Sequence, residues 1–515
     1  MDSIRNSKPG ARRVMQVVLP VVLCALITWP VIFSGFVRGR GAGDQLNYHE
    51  QAIRRFAAEL PHPDFSDYLS ATTPGYHTVL AVIARTVSDE RSLLQWAGSL
   101  FTLGLVGLLA WAVRRQGSPS PEAGPAPSPP AASGAPIMLV LPLMLSMAVF
   151  HSGVWMLPDN AGWLGVLGVW LLALRGKFDW VTVVGGGLAL TALVLVRQIH
   201  LWPWAMLLTA AWLGPRGPGD AGFDFGRDMR ELCSGPGRRL VRTGLVFAAG
   251  VPAVLALLWF WRLWGDSLTP PVFHERHVGV NPTAPAFVLA LFGSIGLFFL
   301  AFVVDGLRAL WVRHTWLLVL AVVVSLALGL AGPSTRTIYE GRNSGLWELV
   351  RYFPAPGRRS VVLVPLAVLG GVQLAAWFVQ LDRRDRWIML AAAVAFMAAQ
   401  CASFQLWQRY TEPLVLLWLA LAASRVRPAR SPAGEGWRLV GPGVLAGAMA
   451  VLTAASLIFG RPVAPRALLF PGETAAPVLP GMVGGDREGR YRNDGPAERG
   501  RSGVEDLEGR SPPGH

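Results

Sequence analysis

Charge is what this sequence has least of. Only 15% of its 515 residues are Asp, Glu, Lys or Arg, where a soluble protein of this length carries about a quarter. That shortage, together with apolar runs from end to end, excludes a soluble enzyme held by a single anchor. Cysteine is scarce too. Of three, Cys24 and Cys401 fall in apolar runs and Cys233 in a polar loop, so neither a disulfide framework nor metal-ligand spacing follows, and no metal or other cofactor is expected. Lysine occurs only at Lys8 and Lys177; the remaining basic charge is arginine, alongside 57 Gly and 40 Pro. That bias is the mark of a GC-rich bacterial genome. No internal repeat is detectable, which weighs against the repeat-built transporter folds.

The formal charge of +14 would suit a nucleic-acid partner. However, the arginines cluster in short segments between apolar runs, where membrane topology alone places them, so no nucleic-acid partner is expected.

Hydrophobic residues make up 52% of the chain, with a mean hydropathy of +0.41. The apolar runs predict an all-α polytopic membrane protein with about thirteen crossings. They lie at 14–36, 93–113, 137–157, 161–174, 180–196, 201–213, 240–261, 284–304, 316–330, 361–379, 387–405, 414–423 and 439–459. The first run has no charged side chain and is longer than a signal-peptide core, and Arg5, Lys8, Arg12 and Arg13 precede it. It reads as a retained helix with a cytoplasmic N-terminus. The basic turns at Arg175/Lys177, 214–239, Arg308/Arg313, Arg383/Arg384/Arg386 and Arg425/Arg427/Arg430 then all fall on the cytoplasmic face. The run 76–87 is too short to cross and is expected to be re-entrant or interfacial. The membrane domain covers 1–459, with an outer loop at 37–75 and a Pro/Ala/Ser-rich cytoplasmic linker at 117–136. The segment 460–515 is expected to be a disordered tail.

The same topology sends the unusual polar segments to the outer face: 44–75, 197–202, 265–281, 334–351 and 408–413. Such a set of loops suits an enzyme whose lipid-linked substrate keeps its tail in the bilayer. The first carries Asp44, Glu50, Glu59, Asp64 and Asp67. One of these carboxylates can take a proton from an acceptor hydroxyl; all of them also serve to solvate an outer loop. Arg197 and Gln198 arrive at the end of an apolar helix, where an arginine either snorkels or binds a phosphate. His274 and His277 are spaced to share a helical face. They suit phosphate or acceptor contact better than zinc, for which a third ligand is missing. Tyr339 and Trp347 fit an interfacial belt, and Arg409 and Glu412 fit a paired hairpin cap.

Taken in order, these landmarks resemble a known family. Asp44, His49, Gln51, Asp67 and the run Thr72-Thr73-Pro74-Gly75-Tyr76 look like the first lumenal loop of the dolichyl-phosphate-glucose-dependent α-1,2-glucosyltransferases. Those enzymes add the terminal glucose to a lipid-linked oligosaccharide. Arg197-Gln198 with Trp202, Gly265-Asp266 with His274 and His277, Glu340 with Arg342-Asn343 and Leu346-Trp347, and Arg409-Tyr410 with Pro413 resemble the family's later motifs. The family's acidic pair in the first loop is here Asp44-Gln45. The broader resemblance is to the GT-C class of membrane glycosyltransferases.

The resemblance implies an inverting hexosyltransferase, with glucose the expected sugar, in a bacterial cytoplasmic membrane, its active site on the outer face. Its partners would be a polyprenyl-phosphate-linked sugar donor, a glycan or lipid-linked acceptor, and membrane lipid. Asp44 would be the general base, and Arg197, Arg342 and Arg409 would hold the donor phosphate. His49, Asp67, Tyr76, Gln198, Trp202, Asp266, His274, His277, Trp347 and Tyr410 would contact substrate. The second reading is a transporter or flippase for a lipid-linked or small polar solute, which would place charges at the bilayer midplane on discontinuous helices.

Overall fold

Apolar segments with no water around them must satisfy their backbone groups internally, and helices do so within one segment. The computed structural model describes residues 9–115, 135–217, 222–274, 279–337, 341–342, 344–403, 405–426 and 432–463. Among these residues the fold is all-helical, with only two isolated bridges, Arg38 to Pro462 and Thr337 to Arg342. The expected linker 117–136 lies outside the described residues except at its last two positions. The expected tail does so beyond Val463, as does the separate unit Ala467–His515.

Each apolar run named from the sequence falls mainly on helix among the described residues. Among the described residues, six helices are long and apolar enough to cross a membrane: Val14–Phe33, Arg91–Arg114, Pro236–Leu263, Ala284–Arg313, Pro356–Gln380 and Gly436–Ile458. A seventh is formed if Pro136–Leu145 and Met147–Val154, which meet at 67°, make one broken span. The break has a local cause: Ser146 leaves the helical conformation and caps the second helix. The remaining runs are shorter or more polar than the sequence reading assumed. Asp159–Leu174, Val181–Val196 and Thr315–Ala331 are short apolar helices. Trp204–Leu213 has only 10 residues. Arg383–Cys401 and Gln408–Ala423 begin on charged turns.

Helices pack most closely where glycines face each other. Any Cβ on Gly293 would strike the Leu366 carbonyl, and one on Gly370 the Leu289 carbonyl. Helix Ala284–Gly296 therefore lies backbone to backbone against Leu363–Gln380, the small-residue packing that membrane helices favour. Gly370→Val is expected to force these helices apart at about 1–3 kcal/mol, the usual range for overpacking. A thermal unfolding midpoint in detergent equal to that of the wild type would refute this.

The loops sort into two sets joined by the helices. At one end Arg384, buried at 1% exposure, donates to the carbonyls of Ala173 at 2.7 Å, Arg175 at 2.9 Å, Ala210 at 3.2 Å and Gly214 at 2.9 Å. Nearby, Asp385 pairs with Arg216 at 2.6 Å and Arg425 at 3.3 Å. Arg386 pairs with Asp228 at 3.4 Å, and Arg383 with Glu231. These are the turns expected together on one face. Helices Asp159–Leu174, Arg383–Cys401 and Gln408–Ala423 run from this end to the other, where most of the segments expected on the opposite face meet.

The expected outer loop 37–75 is largely structured. It holds helix Gly39–Asp44, a π-helical turn Gln45–His49 and helix Glu50–Glu59. Ala52, Ile53 and Phe56 share one buried face of that last helix and pack with Tyr68, Tyr76, Leu80 and Trp264. The segment expected to be interfacial forms the 12-residue helix Gly75–Thr86.

Candidate functional site

One cavity of about 370 Å³ opens where these ends meet. It is lined by Arg40, Asp44, Tyr48 and His49 from the first segment, and by Ser70–Thr72 at that segment's end. Arg197–His200, Ser267–Thr269 with Phe273, and Trp163, Gln400, Trp407, Arg409 and Tyr410 are also among its walls. Four of the segments singled out from the sequence thus supply the walls of a single cavity of the size that small-molecule sites use.

Its centre is two ion pairs on either side of one tyrosine. Asp44 pairs with Arg409, across 365 positions of sequence, and Asp159 pairs with Arg197. The Tyr410 ring lies 3.9 Å from the Arg197 guanidinium carbon and 5.0 Å from that of Arg409, and its hydroxyl accepts from Arg409 at 2.9 Å. Arg40 stands over the Trp407 ring at 4.9 Å. Three guanidiniums and one carboxylate line the cavity, with Asp159 paired to Arg197 behind it, which leaves a net positive wall suited to an anion. The hairpin pairing of Arg409 with Glu412 does not form. Glu412 instead accepts from Ser146 at 2.5 Å and Gln408 at 2.6 Å, while Arg409 reaches Asp44.

Local structure aims these groups. The π-helical turn after Asp44 widens the helix by a residue, a device frequent at functional sites, and brings His49 to the wall. His49 Nδ1 lies 2.9 Å from His77 Nε2 with the rings stacked. Burial pushes the His49 imidazole down to about 3, aided by Arg409 and Arg197, so this histidine is neutral. Gln45, where the resembled family has its second acid, is buried. Its amide donates to Glu50 at 3.3 Å and its carbonyl accepts from Gln95 at 2.9 Å and Met156 N at 3.2 Å. Burial alone would raise the Glu50 carboxyl, but hydrogen bonds from Arg91 and Arg54 outweigh it and hold it below the usual range. Gln198 ties the loops together: its amide donates to Ala71 O at 2.7 Å and Leu268 O at 2.9 Å, and its carbonyl accepts from Thr73 N at 3.2 Å.

Of the residues expected to bind phosphate or substrate, Arg197, Arg409, His49, Gln198 and Tyr410 line the cavity with Asp44. The other described candidates are not among its lining residues. Arg342 is fully buried, donating to the Pro333 carbonyl with its guanidinium 5.8 Å from the Trp347 ring. Trp347 stacks on Phe287 at 4.6 Å and donates to Leu406 O at 3.2 Å, while Leu346 N donates to Gln408 at 2.6 Å. That segment buttresses the turn carrying Arg409. Trp202 is buried against Phe396, and Tyr76 against Phe101. Asp67 accepts from Val272 N at 3.4 Å, which joins two loops. Asp266 holds a turn with φ of 62°, and His274 donates to Thr269 O at 2.8 Å. His277, Tyr339, Glu340 and Asn343 lie outside the described residues.

The sequence reading missed Arg40, Asp159, Gln400 and Trp407, and named His200 only as part of the polar segment 197–202. Asp159 and His200 carried a signal, being polar residues at the ends of apolar runs. Among the described residues no group of three or more His, Cys, Asp or Glu is placed to hold a metal ion. The fold and cavity define an all-helical protein with membrane-spanning helices and a charged, aromatic-walled site among its inter-helix segments. Comparison with family models, curated proteins and solved structures finds no match for this chain.

Proposed function

We propose that this protein is a membrane glycosyltransferase of the GT-C type, inverting, moving a hexose from a polyprenyl-phosphate donor to a lipid-linked or cell-envelope glycan acceptor. The donor sugar is glucose. The site faces the outside of a bacterial cytoplasmic membrane. The observation that carries the reading is the convergence of Asp44, Arg197 and Arg409 on one cavity, in the order the resemblance requires.

Asp44 and Arg409 satisfy each other. A donor phosphate competes for Arg409, whose planar fork matches phosphate oxygens, and releases the carboxylate toward the acceptor. The acceptor hydroxyl attacks the anomeric carbon and its proton passes to Asp44. The bond from that carbon to the phosphate oxygen breaks, and its electron pair leaves with the polyprenyl phosphate. Arg409, with Arg197 beside the same tyrosine, stabilises the departing charge. Arg40 adds a third positive group to the wall, while Arg342 acts from behind by supporting the Arg409 turn.

The test is transfer in proteoliposomes given acceptor-containing membrane extract and radiolabelled polyprenyl-phosphate-glucose or, separately, polyprenyl-phosphate-mannose. Label passing from the glucose donor into a new glycan is the expected result. Uptake of a solute, with no transfer from either donor, would put the flippase reading in its place.

A further inference from the structure

Among the described residues, four side chains that line the cavity have a buried polar atom with no partner in the protein: Trp163, His200, Gln400 and Arg409. His200 is 2% exposed, and neither of its ring nitrogens has a protein partner. Gln400 is equally buried, and its side-chain carbonyl oxygen has no partner either. Both line the cavity. They come from different elements: His200 from the turn Gln198–Leu201, and Gln400 from the last turn of Arg383–Cys401. Leaving such groups buried and unmatched is costly, so their placement on a cavity wall calls for a ligand that matches them.

The chemistry of the two groups selects that ligand. Burial, with Arg197 adding to it, pushes the His200 imidazole down to about 3, so it is neutral and offers one donor and one acceptor. The Gln400 amide offers an acceptor oxygen and a donor nitrogen. Hydroxyl groups, which both donate and accept, fit the pair. Trp163 packs edge-on against His200 at 5.4 Å and lines the same cavity, giving an aromatic surface for ring C–H groups. His200 N also donates to Arg197 O at 3.0 Å, so the hydroxyl-matching group is built into the same turn as a phosphate-matching one.

We propose that His200 and Gln400 form the subsite for the hydroxyls of the donor sugar, the ring directly attached to the phosphate; this rests on the sugar-transfer reading above. Neither residue touches the reacting atoms in this scheme. They determine which head group is held.

The test compares two lipids of equal charge, polyprenyl-phosphate-glucose and the methyl ester of polyprenyl phosphate, by calorimetry on the full chain in nanodiscs. The wild type is expected to bind the glucose lipid at least about tenfold more tightly than the methyl ester. His200→Phe and Gln400→Leu should each lose most of that preference, and methyl-ester binding in the same variants reports that they are folded. A wild type that binds both lipids equally would overturn the subsite while leaving the arginine site standing. Variants that keep the full preference would overturn it as well. If the wild type binds neither lipid, the sugar-transfer reading falls first and takes the subsite with it.

Discussion

Asp44→Asn is expected to lower sugar transfer by about 10²–10⁴-fold, the usual contribution of a positioned general base. The protein should still insert and keep an unfolding midpoint close to that of the wild type. The Asp44 side chain is 22% exposed and that of Arg409 is 30% exposed, so water and the Tyr410 hydroxyl remain to solvate the guanidinium when the carboxylate is neutralised. The pair creates an ambiguity that a single variant cannot resolve, because asparagine removes both a base and the partner of Arg409. The double variant Asp44→Asn/Arg409→Gln separates the two. If Asp44 only positions Arg409, the double variant should be no worse than Arg409→Gln alone. If Asp44 is the base, the double variant should fall well below Arg409→Gln alone. Transfer by Asp44→Asn at near wild-type rate would remove the base from this residue altogether.

Much of this site was legible before the fold was. Polar side chains at the ends of apolar runs must lie near the membrane surface, and alternation of runs assigns those ends to two faces. Asp44, Arg197 and Arg409 could therefore be grouped although they are far apart in sequence. Hydropathy does not say which way a side chain points. Trp202 and Tyr76 were named from the same motifs as cavity residues, and Trp347 from a segment that supplies none, and all three turn into packing. Gln400 was invisible for the opposite reason: one uncharged amide in an apolar run leaves no trace in the hydropathy pattern. Arg40 stood in a pair with Arg38 that reads as solvation alone.

The first loop was more readable than its treatment as a loop allowed. Ala52, Ile53 and Phe56 carry helical spacing, and Arg54 and Arg55 sit four residues from Glu50 and Glu59 respectively, the spacing of helix-stabilising pairs. The number of crossings is where the sequence reading went furthest beyond the fold. An apolar run of ten to seventeen residues is counted like a span of twenty, yet a hydrocarbon core of about 30 Å needs roughly twenty residues of helix. Several of the short runs end on residues that serve the cavity, as Val181–Val196 does just before Arg197. Their length is fixed by the site as well as by the bilayer.

Arg197 and Arg409 flank the same tyrosine, but their replacements are expected to fail in different ways. The Arg197 side chain is 12% exposed and that of its partner Asp159 is 9% exposed, less than half the values for the Asp44 pair. Arg197→Met leaves a buried carboxylate without its counter-charge, a change that costs about 3–5 kcal/mol, and also removes the guanidinium from the Tyr410 face. Its main effect should be an earlier unfolding midpoint in detergent, and Arg197→Met/Asp159→Leu should recover much of the loss because no charge is left stranded. Arg409→Gln should unfold near the wild-type midpoint and instead lose about 10²–10³-fold in turnover, the scale of one lost group that stabilises departing charge. If Arg197→Met proves as stable as the wild type, Arg197 is not a structural ion and is free to take phosphate as directly as Arg409. If Arg409→Gln unfolds early while its surviving folded fraction transfers sugar normally, the leaving-group role belongs to Arg197 or Arg40. The exposure of the two pairs favours neither of those outcomes: the accessible pair is the one a substrate can open, and the buried pair is the one the fold needs closed.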